Sequence, residues 1–66
     1  MKKYTQEELK LILEKHKKLI NDEEGGEQAN LSSVDLSFAD LRSADLRYAN
    51  LSSANLRYAD LSYADL

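Results

Sequence analysis

The 66-residue chain contains no cysteine, no proline and no tryptophan, only two glycines and only one histidine. Without cysteine no disulfide can stabilise the fold, and with one histidine a tetrahedral zinc site of the usual ligands is not expected. A chain this short forms at most one small domain, whose apolar core seldom contributes more than ~3–5 kcal/mol. Stability therefore has to come from very regular packing or from self-association.

An excess of positive charge and long apolar runs are also lacking. The formal net charge is −3, which disfavours direct binding of nucleic acid, since phosphate-binding surfaces are basic. The first residues are polar and charged where a signal peptide would be apolar, and no apolar run is long enough to span a bilayer. We expect a soluble, cytoplasmic protein that contacts neither membranes nor nucleic acid directly.

Residues 29–66 repeat with a period of five. Each block has a leucine, an alanine (once Val34) two residues before it, and an aspartate or asparagine between them. The leucines are Leu31, Leu36, Leu41, Leu46, Leu51, Leu56, Leu61 and Leu66. A period of five fits neither the 3.6-residue repeat of a helix nor the alternation of a strand. The pattern therefore predicts a backbone that turns once per block, with leucine and alanine facing inward and Asp or Asn facing outward.

These Ala-Asp/Asn-Leu blocks resemble the repeats of pentapeptide-repeat proteins over residues 29–66. The resemblance implies a mainly β fold, a right-handed quadrilateral β-helix in which four blocks form one square coil. Two coils are then expected, with residues twenty apart as vertical neighbours, such as Leu31 under Leu51 and Phe38 under Tyr58. Backbone groups of the two coils would bond each other at the ~4.7–4.9 Å spacing of neighbouring strands.

Residues 5–20 show the only strong helical pattern. Thr5 and Glu8 have the spacing of a capping box, and Tyr4 and Leu9 that of a hydrophobic staple. One helical face carries Leu9, Ile12, Leu13, His16, Leu19 and Ile20. The end of a repeat stack needs a cap. We therefore predict a capping helix (about 5–20) and polar linker in residues 1–28, and the β-helix in residues 29–66.

The second coil has no comparable cap in this sequence, which ends at Leu66. An uncovered coil presents unpaired backbone groups, an edge that proteins protect or pair. We expect a homodimer that joins two chains through their C-terminal coils about a twofold axis. The predicted interface residues are Leu51, Leu56, Leu61, Tyr63 and Leu66. The alternative is that the chain is a fragment of a longer repeat.

No set of catalytic residues is apparent. The serines lack a base, because the only histidine, His16, belongs to the helix, where a partly buried packing role is the simpler interpretation. The acidic linker residues Asp22, Glu23, Glu24 and Glu27 lack the pattern of an EF-hand loop and are interpreted as solvated. We expect no enzymatic activity, no cofactor and no metal.

The outward side chains instead predict a protein-binding surface. Aspartates stacked in columns are the feature with which related inhibitors imitate nucleic acid, although nearby arginines weaken their field, and bonding of the turns by Asp and Asn is the structural alternative. Tyrosine and arginine have the composition of binding hot spots, with corner packing as the alternative. The predicted partner-binding residues are Asp40, Asp45, Asp60, Asp65, Arg47, Tyr48, Arg57 and Tyr58.

The resemblance implies a homodimeric, non-enzymatic module that inhibits a nucleic-acid-handling enzyme by surface or DNA mimicry. The expected target is a DNA- or RNA-binding enzyme, such as DNA gyrase or a phage-defence (CRISPR) nuclease. The alternative is a structural or assembly module without inhibitory activity.

Overall fold

A computed structural model describes all residues, from Met1 to Leu66. The chain forms strand β1 (Lys2–Lys3), helix α1 (Gln6–Ile20) and strand β2 (Val34–Asp35). β1 pairs with β2 in parallel, with Lys2 beside Val34 and Lys3 beside Asp35. Neither the length nor the apolar character of α1 suits it to crossing a bilayer.

Helix α1 begins with the predicted capping box. The Thr5 hydroxyl accepts the Glu8 N–H at 3.1 Å, and the Glu8 carboxylate accepts the Thr5 N–H at 2.9 Å. The helix ends at Ile20, and Gly25 further on adopts a left-handed φ of 85°. Gly26 lies so close to the backbone of Leu19 that a side chain would not fit there. The glycine pair is thus needed to turn the linker back against the helix.

Residues 29–66 wind so that residues twenty apart lie beside each other. Parallel bridges join Asn30 with Asn50, Asp35 with Asn55, Asp40 with Asp60 and Asp45 with Asp65. On the first side, the Asn50 N–H donates to the Ala29 carbonyl at 2.9 Å, and the Leu31 N–H donates to the Asn50 carbonyl at 2.8 Å. The other sides repeat this pattern, so the arrangement is β-helix-like. Regular strands are only two residues long, since each block is extended only briefly between two turns.

Each block ends in a tight turn. The N–H of the alanine, or of Val34, donates to the leucine carbonyl three residues earlier at 2.9–3.2 Å. The residue before that alanine has a left-handed φ of 58–65°, as in a type II turn. These residues are Ser33, Phe38, Ser43, Tyr48, Ser53, Tyr58 and Tyr63. They lie at the corners, as the period predicted, although none is glycine.

The core lies between α1 and residues 29–48, called the first coil below; residues 49–66 are called the second coil. Leu9 of the helix is buried there, together with Ala29, Val34 and the first-coil leucines Leu31, Leu36, Leu41 and Leu46. In the second coil Leu51, Leu56 and Leu61 are half-buried, and Leu66 is 74% exposed. The helix therefore covers the first coil, as predicted. The prediction was wrong for Leu19, whose side chain is exposed because its backbone, not its side chain, faces the linker at Gly26.

Candidate functional site

The N-terminal end of the coil is closed by side chains that bind its backbone. The Gln6 amide donates to the Asp40 carbonyl at 2.8 Å and accepts the Asp40 N–H at 3.2 Å, as a neighbouring strand would. Gln28 donates to the Tyr48 carbonyl at 2.7 Å. Together with the pairing of β1, these bonds satisfy backbone groups that a bare coil would expose.

His16 is fully buried beneath the helix and has two backbone partners. The Ala29 N–H donates to Nδ1 at 3.0 Å, so Nδ1 carries no proton, and Nε2–H donates to the Arg47 carbonyl at 2.6 Å. The sequence predicted only a partly buried packing role for His16. The structure adds a polar one, in which both ring nitrogens are used by the backbone and neither faces a substrate site.

The opposite edge, formed by residues 49–66, has no such partners. Backbone N–H groups that point away from the first coil make no hydrogen bond: those of Leu51, Ser53, Leu56, Tyr58, Leu61 and Tyr63. The carbonyls of Ala49, Ala54 and Ala59 are likewise unpaired. The five residues predicted for a dimer interface all belong to this coil, with Tyr63 at a corner. We call it the open edge.

The outward Asp and Asn side chains bond the turns. In each block from Asn30 to Asp60, Oδ1 accepts the N–H of the residue two positions later, at 3.0–3.2 Å. The Ser37 hydroxyl also donates to Asp35, and the Ser62 hydroxyl to Asp60. These bonds lower the pKa of both carboxyls. The alternative interpretation of the outward Asp and Asn residues, that they bond the turns, therefore has direct geometric support.

The aspartates form two acidic columns, Asp40 with Asp60 and Asp45 with Asp65, and each column is bridged by an arginine. Arg42 forms a two-pronged pair with Asp40, with both N–O distances 2.9 Å, and its Nε lies 4.0 Å from Asp60. The hydrogen bond from this guanidinium is the main reason that the pKa of Asp40 falls to about 2. The net negative charge of this column is therefore smaller than its two aspartates alone would give.

The second column has the same design. Arg47 pairs with Asp45 at 2.8 Å and approaches Asp65 at 3.3 Å, which links the two coils. The pKa of Asp45 also falls to about 2, chiefly through the hydrogen bond from Arg47. Arg47, predicted as a partner-binding residue, is therefore already engaged within the chain.

Arg57 differs from the other two arginines. It follows Asn55 rather than an aspartate, and no carboxylate lies within 4.0 Å of its guanidinium. The contrast is visible in the sequence, since an arginine two residues after Asp is paired here and one after Asn is not. Of the predicted partner-binding residues, Arg57 is thus the arginine that remains available.

The aromatic side chains are exposed at the corners. Phe38 and Tyr58 stack, as predicted, with ring centroids 5.2 Å apart and planes 16° from parallel. Both are about three-quarters exposed, at 75% and 77%, and Tyr48 and Tyr63 are more so. Phe38 was missing from the predicted partner-binding set. Its position twenty residues before Tyr58 was the signal that could have included it.

A surface cleft of about 430 Å³ lies between α1 and the segment from Asp40 to Asp45. Its lining contains both acidic and basic side chains. Those contributed by the helix are Glu7, Lys10, Glu14 and Lys17. No group of three or more His, Asp or Glu side chains is placed to hold a metal ion. The aromatic corners and the open edge are therefore the features that distinguish this surface.

A comparison with known proteins agrees with the repeat. The family model described as pentapeptide repeats matches residues 27–47 and 35–66, with eight copies. No curated protein and no solved structure matches the chain.

Proposed function

Because the chain belongs to the pentapeptide-repeat family, a family of structural and interaction modules, we propose that it is a non-enzymatic protein-binding module. Its residues 29–66 would form a right-handed quadrilateral β-helix of two coils. The observation that carries the proposal is the set of aromatic corner side chains, which are at least three-quarters exposed. Large aromatic surfaces of this kind are enriched where proteins bind one another.

We further propose that the module is a homodimer joined at the open edge. Two open edges placed together would pair the free N–H and carbonyl groups and cover Leu56 and Leu66, which the single chain leaves partly exposed. Isologous twofold contacts of this type are the commonest in soluble oligomers.

Light scattering over a range of concentrations tests the dimer. We expect a mass twice the 7.5 kDa of one chain, and a shift to the single-chain mass in Leu66→Asp and Leu56→Arg. Leu11→Asp is the matched control, because Leu11 is exposed on the helix at the other end of the molecule. A single-chain mass at every concentration, together with a cooperative melt, would refute the dimer.

As the target we propose a nucleic-acid-handling enzyme, such as DNA gyrase or a CRISPR nuclease, bound by surface contact. The arginine bridges favour surface contact over imitation of DNA, since Arg42 and Arg47 offset part of the charge of the acidic columns. A duplex mimic has to compete with about one charge per ~1.7 Å of DNA.

An inhibition assay separates these modes. Added protein should reduce gyrase supercoiling or nuclease cleavage, and inhibition by surface contact should survive an increase in salt. Strong relief by salt would instead indicate charge mimicry, because screening weakens exposed charges. Lack of inhibition across such enzymes would support the alternative, a structural or assembly module.

A further inference from the structure

We infer that Arg57, Phe38 and Tyr58, here called the Arg57 patch, bind an acidic segment of a partner protein through a carboxylate next to an aromatic or aliphatic side chain. The inference rests on the proposed protein-binding function and names the chemistry of the partner.

The first argument is the free guanidinium of Arg57. Arg42 and Arg47 each donate two side-chain hydrogen bonds to the aspartate two residues earlier. At Arg57 that position is Asn55, whose Oδ1 accepts the Arg57 backbone N–H at 3.1 Å. The Asn55 amide has only one acceptor oxygen and no negative charge. The side-chain N–H donors of the Arg57 guanidinium therefore have no carboxylate to pair with.

The neighbouring coil does not fill it either. Arg42 and Arg47 lie in the first coil, and each approaches an aspartate of the second coil. Arg57 lies in the second coil, and its vertical neighbour in the first coil, twenty positions earlier, is Ser37. Asp35, the carboxylate on this side of the coil, is held by the Ser37 N–H at 3.0 Å and the Ser37 hydroxyl at 2.6 Å. Arg57 is exposed and lacks a carboxylate that the other two arginines have.

The second argument is the aromatic pair next to it. Phe38 and Tyr58 have φ values of 63° and 61°, a region unfavourable for bulky side chains. Ser33 and Ser53 form an equivalent corner with φ values of 58° and 59°, so the turn itself does not need aromatic residues. The stacked rings instead provide a flat apolar platform that begins one residue after Arg57, and the Phe38 N–H donates to the Arg57 carbonyl at 3.1 Å.

A protein segment fits this combination better than a nucleic acid. A carboxylate can occupy the fork of Arg57 while the adjacent side chain packs on the rings, and Tyr and Arg are the residues that dominate binding hot spots. Nucleic acids need several cations along the phosphate backbone, whereas this chain has a net charge of −3 and Arg57 is the one cation of the patch.

The test selects peptides from a random phage-displayed library on the full-length protein and measures the binding of a synthetic copy by fluorescence anisotropy. We expect selected sequences with Asp or Glu beside an aromatic or aliphatic residue. Arg57→Gln should weaken binding by about tenfold or more. Arg42→Gln is the matched control and should change it by less than about twofold, because Arg42 is already paired.

A sharper variant leaves Arg57 and both rings in place. Asn55→Asp recreates the arrangement of Asp40 and Arg42, so it should capture the guanidinium and weaken binding about as much as Arg57→Gln. Asn50→Asp adds the same charge before Ser52 instead of an arginine and should retain binding. Circular dichroism and light scattering of all variants confirm an unchanged fold and mass.

Three results would overturn the inference: selected peptides that are basic, equal binding by Asn55→Asp and wild type, or preference for a single-stranded oligonucleotide over the peptides. Failure to select any peptide would also overturn it. The dimer and inhibition measurements above use no peptide, so they show separately whether the wider protein-binding function fails.

Discussion

The two ends of this small coil are built differently. At the first coil, α1, β1 and polar side chains satisfy the backbone and bury four leucines. At the second coil the equivalent groups face outward without partners, and the leucines are half-buried or exposed. The same five-residue motif therefore forms both a buried core and an open edge, depending on what covers it. Burial in repeat proteins comes from the neighbour, not from the repeat alone.

Truncation of stacked leucines should show the largest difference between the ends. Leu41→Ala removes a side chain that is 1% exposed and should cost about 2–5 kcal/mol, while Leu61→Ala, in the half-buried position above it, should cost about 1 kcal/mol in the single chain. Urea unfolding at low protein concentration measures both.

Repeating the measurement at high concentration sharpens the comparison. If two chains pair at the open edge, the cost of Leu61→Ala should rise toward that of Leu41→Ala. Equal costs at every dilution would mean that the second coil is covered within one chain, against the structure described here.

Removing the buried polar contacts of the cap should have an effect of similar size. His16→Leu leaves the Ala29 N–H and the Arg47 carbonyl unpaired under the helix, at about 1–3 kcal/mol for each group. Gln6→Ala also removes two hydrogen bonds, but at an exposed site where water can replace them, so about 0.5–1.5 kcal/mol is expected. Thermal melts should rank the variants in this order, and the reverse order would contradict the buried role of His16.

Acid should weaken the pairs that Asp40 forms with Arg42 and that Asp45 forms with Arg47. The pKa values of Asp40 and Asp45 are about 2 in the fold, below their ordinary value of 3.8. Their stabilising contribution is therefore complete above about pH 4 and is lost as the pH falls toward 2. The melting temperature should decline across this window.

Variants identify the groups responsible for that decline. Asp45→Asn should flatten it, because the carboxylate that titrates in the pair with Arg47 is then absent. Arg57→Gln should leave it unchanged, since Arg57 has no carboxylate partner. An identical decline in Asp45→Asn and wild type would show that these pairs do not govern acid stability.

The smallest effects should come from the corners, where the two coils are alike. Ser33 and Ser53 have φ values of 58° and 59°, which glycine adopts without strain. Ser33→Gly and Ser53→Gly should each stabilise by about 0.5–1 kcal/mol, and Ser53→Val should destabilise, since β-branched residues rarely adopt positive φ. Gain at Ser33 but not at Ser53 would indicate a loosely formed second coil.

Features set by local spacing or by the period could be predicted from the sequence. The capping box, the covered first coil, the vertical neighbours and the stacking of Phe38 on Tyr58 are of this kind. Each follows from residues a few positions apart or from the fixed offset of twenty. The division of the chain after residue 28 and the dimer interface stay predictions.

The closing of the first coil could not be predicted. It depends on contacts with backbone atoms far along the chain, made by strand β1, the Gln6 amide and the His16 ring. No pattern of side chains in the sequence indicates such partners. The state of the arginines is an intermediate case. Whether Asp or Asn stands two positions earlier decides their pairing, but only the geometry showed that this difference frees Arg57.

The polar contacts of the cap at the first coil are almost all with main-chain atoms. β1 pairs with the strand backbone, Gln6 binds the N–H and carbonyl of residue 40, and His16 binds the N–H of residue 29 and the carbonyl of residue 47. The outward side chains of the blocks it covers play little part in that recognition. We therefore expect this N-terminal segment to cap longer arrays of such repeats whose inward leucines are kept and whose outward side chains differ.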